Sequence, residues 1–115
     1  MTVAESIAIF PELQRLVDLR EAGWQFFPHT RDGQLVQIDG VRTWPGGHAD
    51  AIRVRYTTDA AALRTDPFGG VVWQLDGTLV EVVDGLLGLP APDAPGAPRL
   101  VKTTTSWLWT PGSAR

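Results

Sequence analysis

The 115-residue sequence contains no cysteine, one methionine and only two histidines. The absence of cysteine excludes disulfides, thiol nucleophiles and cysteine-ligated metal sites, and it leaves the redox compartment open. No apolar run approaches the ~20 residues that a membrane-spanning helix needs. The first ten residues, MTVAESIAIF, lack the basic and apolar regions of a signal peptide. We therefore expect a cytoplasmic protein that does not bind membranes.

What the chain does contain is enough apolar material for a folded core. Hydrophobic residues make up 43% of the sequence and five of them are tryptophan, so disorder over most of the length is excluded. The length corresponds to one domain. Nine arginines accompany a single lysine, Lys102, and alanine, glycine and proline are frequent, which is typical of a GC-rich bacterial genome.

The most informative stretch runs from Val71 to Pro90. The residues VVWQL predict a strand, Asp76-Gly77 predicts a turn, and Thr78 with Glu81 three residues later predicts a helix-capping box. A stripe of apolar residues follows at helical spacing: Leu79, Val82, Val83, Leu86 and Leu87. Gly88, as a left-handed C-cap, and Pro90 end this predicted helix.

The preceding chain predicts a second helix and a series of strands. Thr2 and Glu5 suggest a short helix over residues 3–9, and the main N-terminal helix is predicted from Pro11 to Gly23. Strands are predicted at 24–28, 35–38, 41–44, 49–57 and 71–75, and the residues Asp66-Pro67-Phe68-Gly69-Gly70 predict a turn before the last of them. Two points stay open. Asp39-Gly40 is either a hairpin turn or a bulge in one strand 35–44. Residues 59–65 are either a short helix or a turn leading into a strand at 63–66 that pairs with 71–75, the latter being favoured.

This order predicts an α+β fold, a two-layer sandwich in which an N-terminal and a C-terminal helix cover one face of an antiparallel meander of four to five strands. The domain is predicted to span residues 1–89, followed by a proline-rich extended spacer at 90–98 and an extended tail at 99–115. The predicted inner face consists of Trp24, Phe26, Val36, Ile38, Ile52, Val54, Val71 and Trp73.

The predicted uncovered face carries arginines interleaved with aromatic residues, including Arg42, Trp44, Arg53 and Arg55. Such a face is an ordinary solvated surface, a protein-binding surface or a weak binding surface for single-stranded nucleic acid. The net charge of −3 argues against nucleic acid, because phosphate contacts supply most of that affinity.

A second candidate site consists of His29, His48 and Asp50. If the loops bring them together, these side chains would hold a metal or perform acid–base chemistry in a small-molecule-binding protein or hydrolase-like enzyme. The linear spacing does not require this, and two isolated loop histidines are more often solvent-exposed, so no metal or other cofactor is expected.

The C-terminal residues Trp107 and Trp109 follow the proline-rich spacer and need an apolar partner surface. That surface is the chain's own sheet, a second copy or a different protein. Without a catalytic motif, the leading hypothesis is a non-catalytic protein-interaction module that self-associates. Its predicted binding residues are Arg42, Trp44, Arg53, Arg55, Trp107 and Trp109.

Overall fold

The structure, a computed structural model, describes residues 11–104. Its elements are a 3-10 turn Pro11–Leu13, α1 Gln14–Glu21, β1 Gln25–Arg31, β2 Gln34–Thr43, β3 Ala49–Tyr56, β4 Asp59–Thr65, β5 Gly70–Gly77, α2 Leu79–Leu87 and β6 Thr103–Thr104. The chain therefore has the α+β fold that its sequence predicts. No helix within the described range is long and apolar enough to cross a membrane.

The sheet is an antiparallel meander. Strands β1 to β5 lie in chain order, and each is hydrogen-bonded to the next. The short β6 adds to the far edge, where Thr103 pairs with Val71 and Thr104 with Gly70. Residues 59–65 form strand β4, which confirms the hairpin with β5 and excludes the alternative of a short helix.

Strand β2 runs unbroken through Asp39-Gly40. Gly40 pairs with Phe26 on one side and Ile52 on the other, so this pair is not a hairpin turn, and the pairing with β3 has no bulge there. A glycine is needed because a Cβ at position 40 would lie 2.6 Å from Cε1 of Phe26 and 2.9 Å from Cγ2 of Ile52. The shift in β1–β2 register falls between His29 and Thr30 instead.

Both helices contribute to one apolar core with the sheet. Leu19 of α1 and Val82 and Val83 of α2 are fully buried in the same cluster as Ile52 and Val54 of β3. The predicted capping box is present, with the Thr78 hydroxyl accepting from the Glu81 backbone N–H. The predicted stripe is buried except for Leu87, which is exposed.

Helix α2 ends differently from the prediction. Gly88 has a φ of −84°, so the helix stops without the left-handed residue that was expected there. The following residues are not an extended spacer, because the Ala94 backbone N–H donates to the Ala91 carbonyl and that of Ala97 donates to the Ala94 carbonyl. The proline-rich stretch is thus folded into two successive turns.

Two residues of the predicted inner face are not in the main core. Val36 lies at the register shift between β1 and β2 and is exposed, in a groove that Ile38 and Val54 also line. Val71 packs with Ala51 and Leu63 in a second, smaller cluster, because a register shift between Arg64 and Thr65 changes the pairing of β5. Bulges of this kind reverse the side on which the following residues lie.

Candidate functional site

The polar residues of the sheet form two separate clusters, one on each face. Alternation along β3 places Ile52 and Val54 in the core beneath the helices, and Asp50 shares their side of the strand. Arg53 and Arg55 lie on the opposite side, called here the outer face. The two clusters are therefore separated by the thickness of the sheet.

On the helix side, Asp50 holds the guanidinium of Arg64. Arg64 Nε donates to Asp50 Oδ1 at 2.6 Å and Nη2 donates to Oδ2 at 3.0 Å. Arg64 is completely buried and Asp50 nearly so. The remaining amino group of the guanidinium, Nη1, donates to the backbone carbonyl of Pro90 at 2.6 Å. The ion pair between Arg64 and Asp50 is a two-point, charge-assisted contact. The hydrogen bond to the Pro90 carbonyl ties the chain after α2 to the sheet.

Trp44 completes this buried cluster. Its indole Nε1 donates to Asp50 Oδ2 at 3.0 Å, and the guanidinium carbons of Arg42 and Arg64 lie 4.0 and 5.5 Å from the ring centroid. Both distances are within the range of cation–π attraction. Arg42 pairs with Asp50 across β2 and β3, so Arg42 and Trp44 lie on the helix side. The prediction that they share an uncovered face with Arg53 and Arg55 is wrong, because β2 has no bulge at Gly40 to reverse its side chains.

The structure does not bring His29, His48 and Asp50 together. The Asp50 carboxylate already accepts from Arg64 and Trp44, while His29 Nε2 lies 2.9 Å from Asp39 Oδ2 on the outer face. His48 precedes β3 and its backbone carbonyl accepts from the Trp44 backbone N–H. Within residues 11–104, no group of three or more His, Asp or Glu side chains is placed to hold a metal ion.

The outer-face cluster consists of His29, Gln37, Asp39, Arg53 and Arg55. Asp39 is buried, and besides His29 its carboxylate accepts the Gln37 amide at 2.9 Å. Arg53 Nε lies 4.0 Å from Asp39 Oδ1, and Arg55 Nε donates to Gln37 Oε1 at 3.4 Å. A chain of hydrogen bonds across three strands thus runs from His29 to Arg55, and Arg53 lies at ion-pair distance from the same buried carboxylate.

Two concave surfaces lie near this cluster. A pocket of about 320 Å³ is lined by Arg53 and Arg55 on one side and by Asp59 and Asp76 further along the sheet. A groove of about 360 Å³ lies at the β3–β4 end, and its apolar lining consists of Leu13, Leu35, Val36, Ile38, Val54 and Tyr56.

The most exposed large hydrophobic side chain in the described range is Phe68, at the tip of the β4–β5 turn, with 94% of its surface accessible. Asp66-Pro67-Phe68-Gly69-Gly70 had predicted a turn, but not that its aromatic residue stays in solvent. Arg64 and Asp39 were also missed, because a single charged residue inside a strand gives no local signal of burial. Trp107 and Trp109 lie outside the described residues.

A comparison of this chain with protein-family models, with curated proteins and with solved structures finds no match.

Proposed function

We propose that this chain is a non-catalytic protein-interaction module that self-associates head to tail, with Phe68 of one copy entering the apolar groove of the next. The observation that carries the proposal is the exposure of Phe68, 94%, on a turn that holds it in place. Large aromatic residues anchor many protein interfaces.

The turn that presents Phe68 is held by its own hydrogen bonds. Asp66 Oδ1 accepts from the backbone N–H of Phe68 at 2.9 Å and of Gly70 at 2.8 Å. The Asp66 backbone N–H donates to the Gly70 carbonyl at 2.8 Å. Because the backbone is already ordered, binding through Phe68 loses less conformational entropy than binding through a flexible loop.

The groove supplies a matching apolar surface. Tyr56, Leu35 and Val36 along it are 71%, 57% and 44% exposed, so each has surface to bury against a partner. Its volume of about 360 Å³ lies within the range of about 300–1,000 Å³ seen for binding pockets. An aromatic ring brings 150–250 Å² of its own surface to such a contact.

Anchor and groove lie at opposite ends of the sheet. The groove is lined by Thr57 and Thr58, which precede β4, whereas Phe68 follows the other end of β4. A contact between opposite ends of identical chains is heterologous, so it propagates into a ring or an open chain of subunits. We infer oligomers larger than a dimer at high concentration.

The proposal also concerns the arrangement of the helices on the sheet and the location of some predicted binding residues. The helices and the sheet form a two-layer sandwich, supported by the core that Leu19 and Val82 share with Ile52. Gly47, in the turn after Trp44, lies close to Pro67, so the turn that follows Trp44 lies beside the Phe68 turn. Association through Trp107 and Trp109 and a cytoplasmic location stay predictions.

The test is the molar mass in solution, measured by light scattering across concentration for two complementary variants. Phe68→Ser removes the anchor and Val36→Glu places a charge in the groove. Each variant alone is expected to be monomeric, and their equimolar mixture to form a 1:1 dimer, because it retains one intact anchor and one intact groove. We expect a dissociation constant on the order of 100 µM, since one small contact must offset the entropy of association.

Phe27→Ser is the matched control, because Phe27 is also an exposed phenylalanine but lies on β1. It should associate like the unmodified chain, and circular dichroism establishes that every variant is folded. A chain that is monomeric at millimolar concentration, a Phe68→Ser variant that still assembles, or a mixture that does not dimerise would each overturn the proposal.

A further inference from the structure

The outer-face pocket has walls of opposite charge. Arg53 of β3, Ala61 of β4 and Asp76 of β5 are successive partners across the three strands, so they form one row with the smallest side chain in the middle. Arg55 continues the β3 wall toward the β3–β4 turn, and Asp59 lies at that end of the pocket on the middle strand, β4. The result is a depression of about 320 Å³ with guanidinium groups on β3 and carboxylates on β4 and β5.

The guanidinium wall is oriented before any ligand arrives. Arg53 approaches the buried carboxylate of Asp39, and Arg55 donates to the Gln37 side chain, whose amide is itself held by Asp39. Two oriented guanidinium groups form a strong site for a carboxylate, because their N–H groups match the spacing of its two oxygens.

The opposite wall favours a cation. Asp59 and Asp76 are both exposed and both line the pocket. An acidic group on each of two adjacent strands attracts an ammonium group, and the methyl side chain of Ala61 leaves the space between the walls open. Neighbouring strands lie about 4.8 Å apart, so β3 and β5 are separated by roughly 10 Å.

We propose that this pocket binds a short zwitterion, of the length of an amino acid or dipeptide. Its carboxylate lies against Arg53 and Arg55, and its ammonium group lies against Asp59 and Asp76. Because the side chains of a sheet stand roughly perpendicular to it, the charged groups of β3 and β5 keep about this strand separation, and an extended dipeptide spans it. This site is distinct from the Phe68 anchor and its function does not depend on self-association.

The experiment is an NMR titration of the ¹⁵N-labelled full chain carrying Phe68→Ser, so that assembly does not move the signals. The probes are L-alanyl-L-alanine, its N-acetyl derivative and its C-terminal amide. The free dipeptide is expected to shift the amide signals of Ala61 and Gly77 saturably. Each blocked derivative is expected to bind about fivefold more weakly, the equivalent of one exposed ion pair.

Three variants assign the walls and the floor. Asp76→Asn should weaken the free dipeptide about fivefold and leave the N-acetyl derivative unchanged, because that derivative has no ammonium group. Arg55→Gln should weaken the free dipeptide and leave the amide unchanged. Ala61→Leu fills the pocket without changing its charge and should abolish binding of all three probes.

Asp93→Asn is the control, since Asp93 is an exposed carboxylate in the proline-rich stretch, and it should leave all three affinities unchanged. The proposal is overturned if no probe gives a saturable shift at any soluble concentration. It is equally overturned if the three probes bind alike, or if Ala61→Leu binds as well as the parent chain.

Discussion

Arg64 and Asp50 face each other across β4 and β3 and form a two-point ion pair on the side of the sheet that carries the helices. The Arg64 side chain is completely inaccessible to solvent. Its third contact, to the Pro90 carbonyl, fixes the path of the chain immediately after α2. A pair of this kind stabilises the fold only while both members are present, because a buried charge without its counter-ion is costly.

Removing one member of this pair should be more harmful than removing both. Arg64→Met leaves the buried Asp50 carboxylate without its guanidinium, and the free energy of unfolding should fall by about 3–5 kcal/mol. In the double variant Asp50→Leu/Arg64→Met no charge remains, so most of that loss should be recovered. Urea unfolding followed by tryptophan fluorescence measures both.

The control for the ion pair is Arg15→Ala. Arg15 pairs with Asp84 at 3.4 Å between α1 and α2, but both side chains are substantially exposed. Its loss should therefore cost less than about 1 kcal/mol. If Asp50→Leu/Arg64→Met were as unstable as Arg64→Met, the loss of stability in Arg64→Met would not be caused by the uncompensated Asp50 carboxylate.

Gly40 should not tolerate a methyl group, although its backbone is ordinary strand. The ring of Phe26 and the side chain of Ile52 occupy the space that a Cβ would need. We expect Gly40→Ala to lower the free energy of unfolding by about 1–3 kcal/mol. Phe26→Leu in the same chain removes the ring and should restore part of the loss, as measured by thermal and urea unfolding.

Gly88→Ala is the matched control for Gly40. Gly88 has an unstrained φ of −84°, and its added Cβ would lie 3.4 Å from the nearest atom, the Asp84 carbonyl oxygen. This substitution should be neutral or slightly stabilising. Equal losses at positions 40 and 88 would show that the close approach of Phe26 does not determine the requirement for glycine.

The capping box predicts a specific pH dependence of stability. Hydrogen bonds from the backbone N–H and the side chain of Thr78 lower the pKa of Glu81 below its ordinary value of 4.5. The folded state therefore favours the carboxylate. This contribution is complete above the ordinary pKa and is lost as pH falls through the lowered value in the folded protein.

The measurement compares the urea midpoints of the unmodified chain and Glu81→Gln from neutral to acidic pH. The unmodified chain should be more stable near neutrality, and the difference should shrink below about pH 4.5. Thr78→Ala removes the hydroxyl that accepts from Glu81 and should cost about 1 kcal/mol near neutral pH. A difference between the unmodified chain and Glu81→Gln that does not change with pH would contradict this role of the carboxylate.

Local features of the sequence were sufficient for helix α2 and for an antiparallel sheet. The Thr78–Glu81 capping box and the apolar spacing of Leu79, Val82, Val83 and Leu86 are determined within a few residues, and the structure contains both. The turn pairs between strands likewise indicated a meander, since short connections join antiparallel neighbours.

The sequence did not predict as well on which face of the sheet each strand residue lies. Alternation identifies two sets of residues in a strand, but it is interrupted by any bulge, and bulges depend on the partner strand. Val71 is predicted on the inner face but lies in the second cluster, because a register shift occurs beside it, and Val36, beside the other register shift, is exposed. Arg42 and Trp44 were predicted on the outer face because a turn or a bulge was expected at Asp39-Gly40, and β2 has neither there.

The sequence by itself thus determined the α+β class, the capped helix, the antiparallel order of strands and the turn at Asp66–Gly70. Only the tertiary structure decided that Arg64 is buried on Asp50, that Arg53 and Arg55 share the outer face with Asp39, and that Phe68 is exposed. Capping and periodicity are interactions within a few residues of the chain. Burial and charge pairing depend on residues that become neighbours only when distant strands pair.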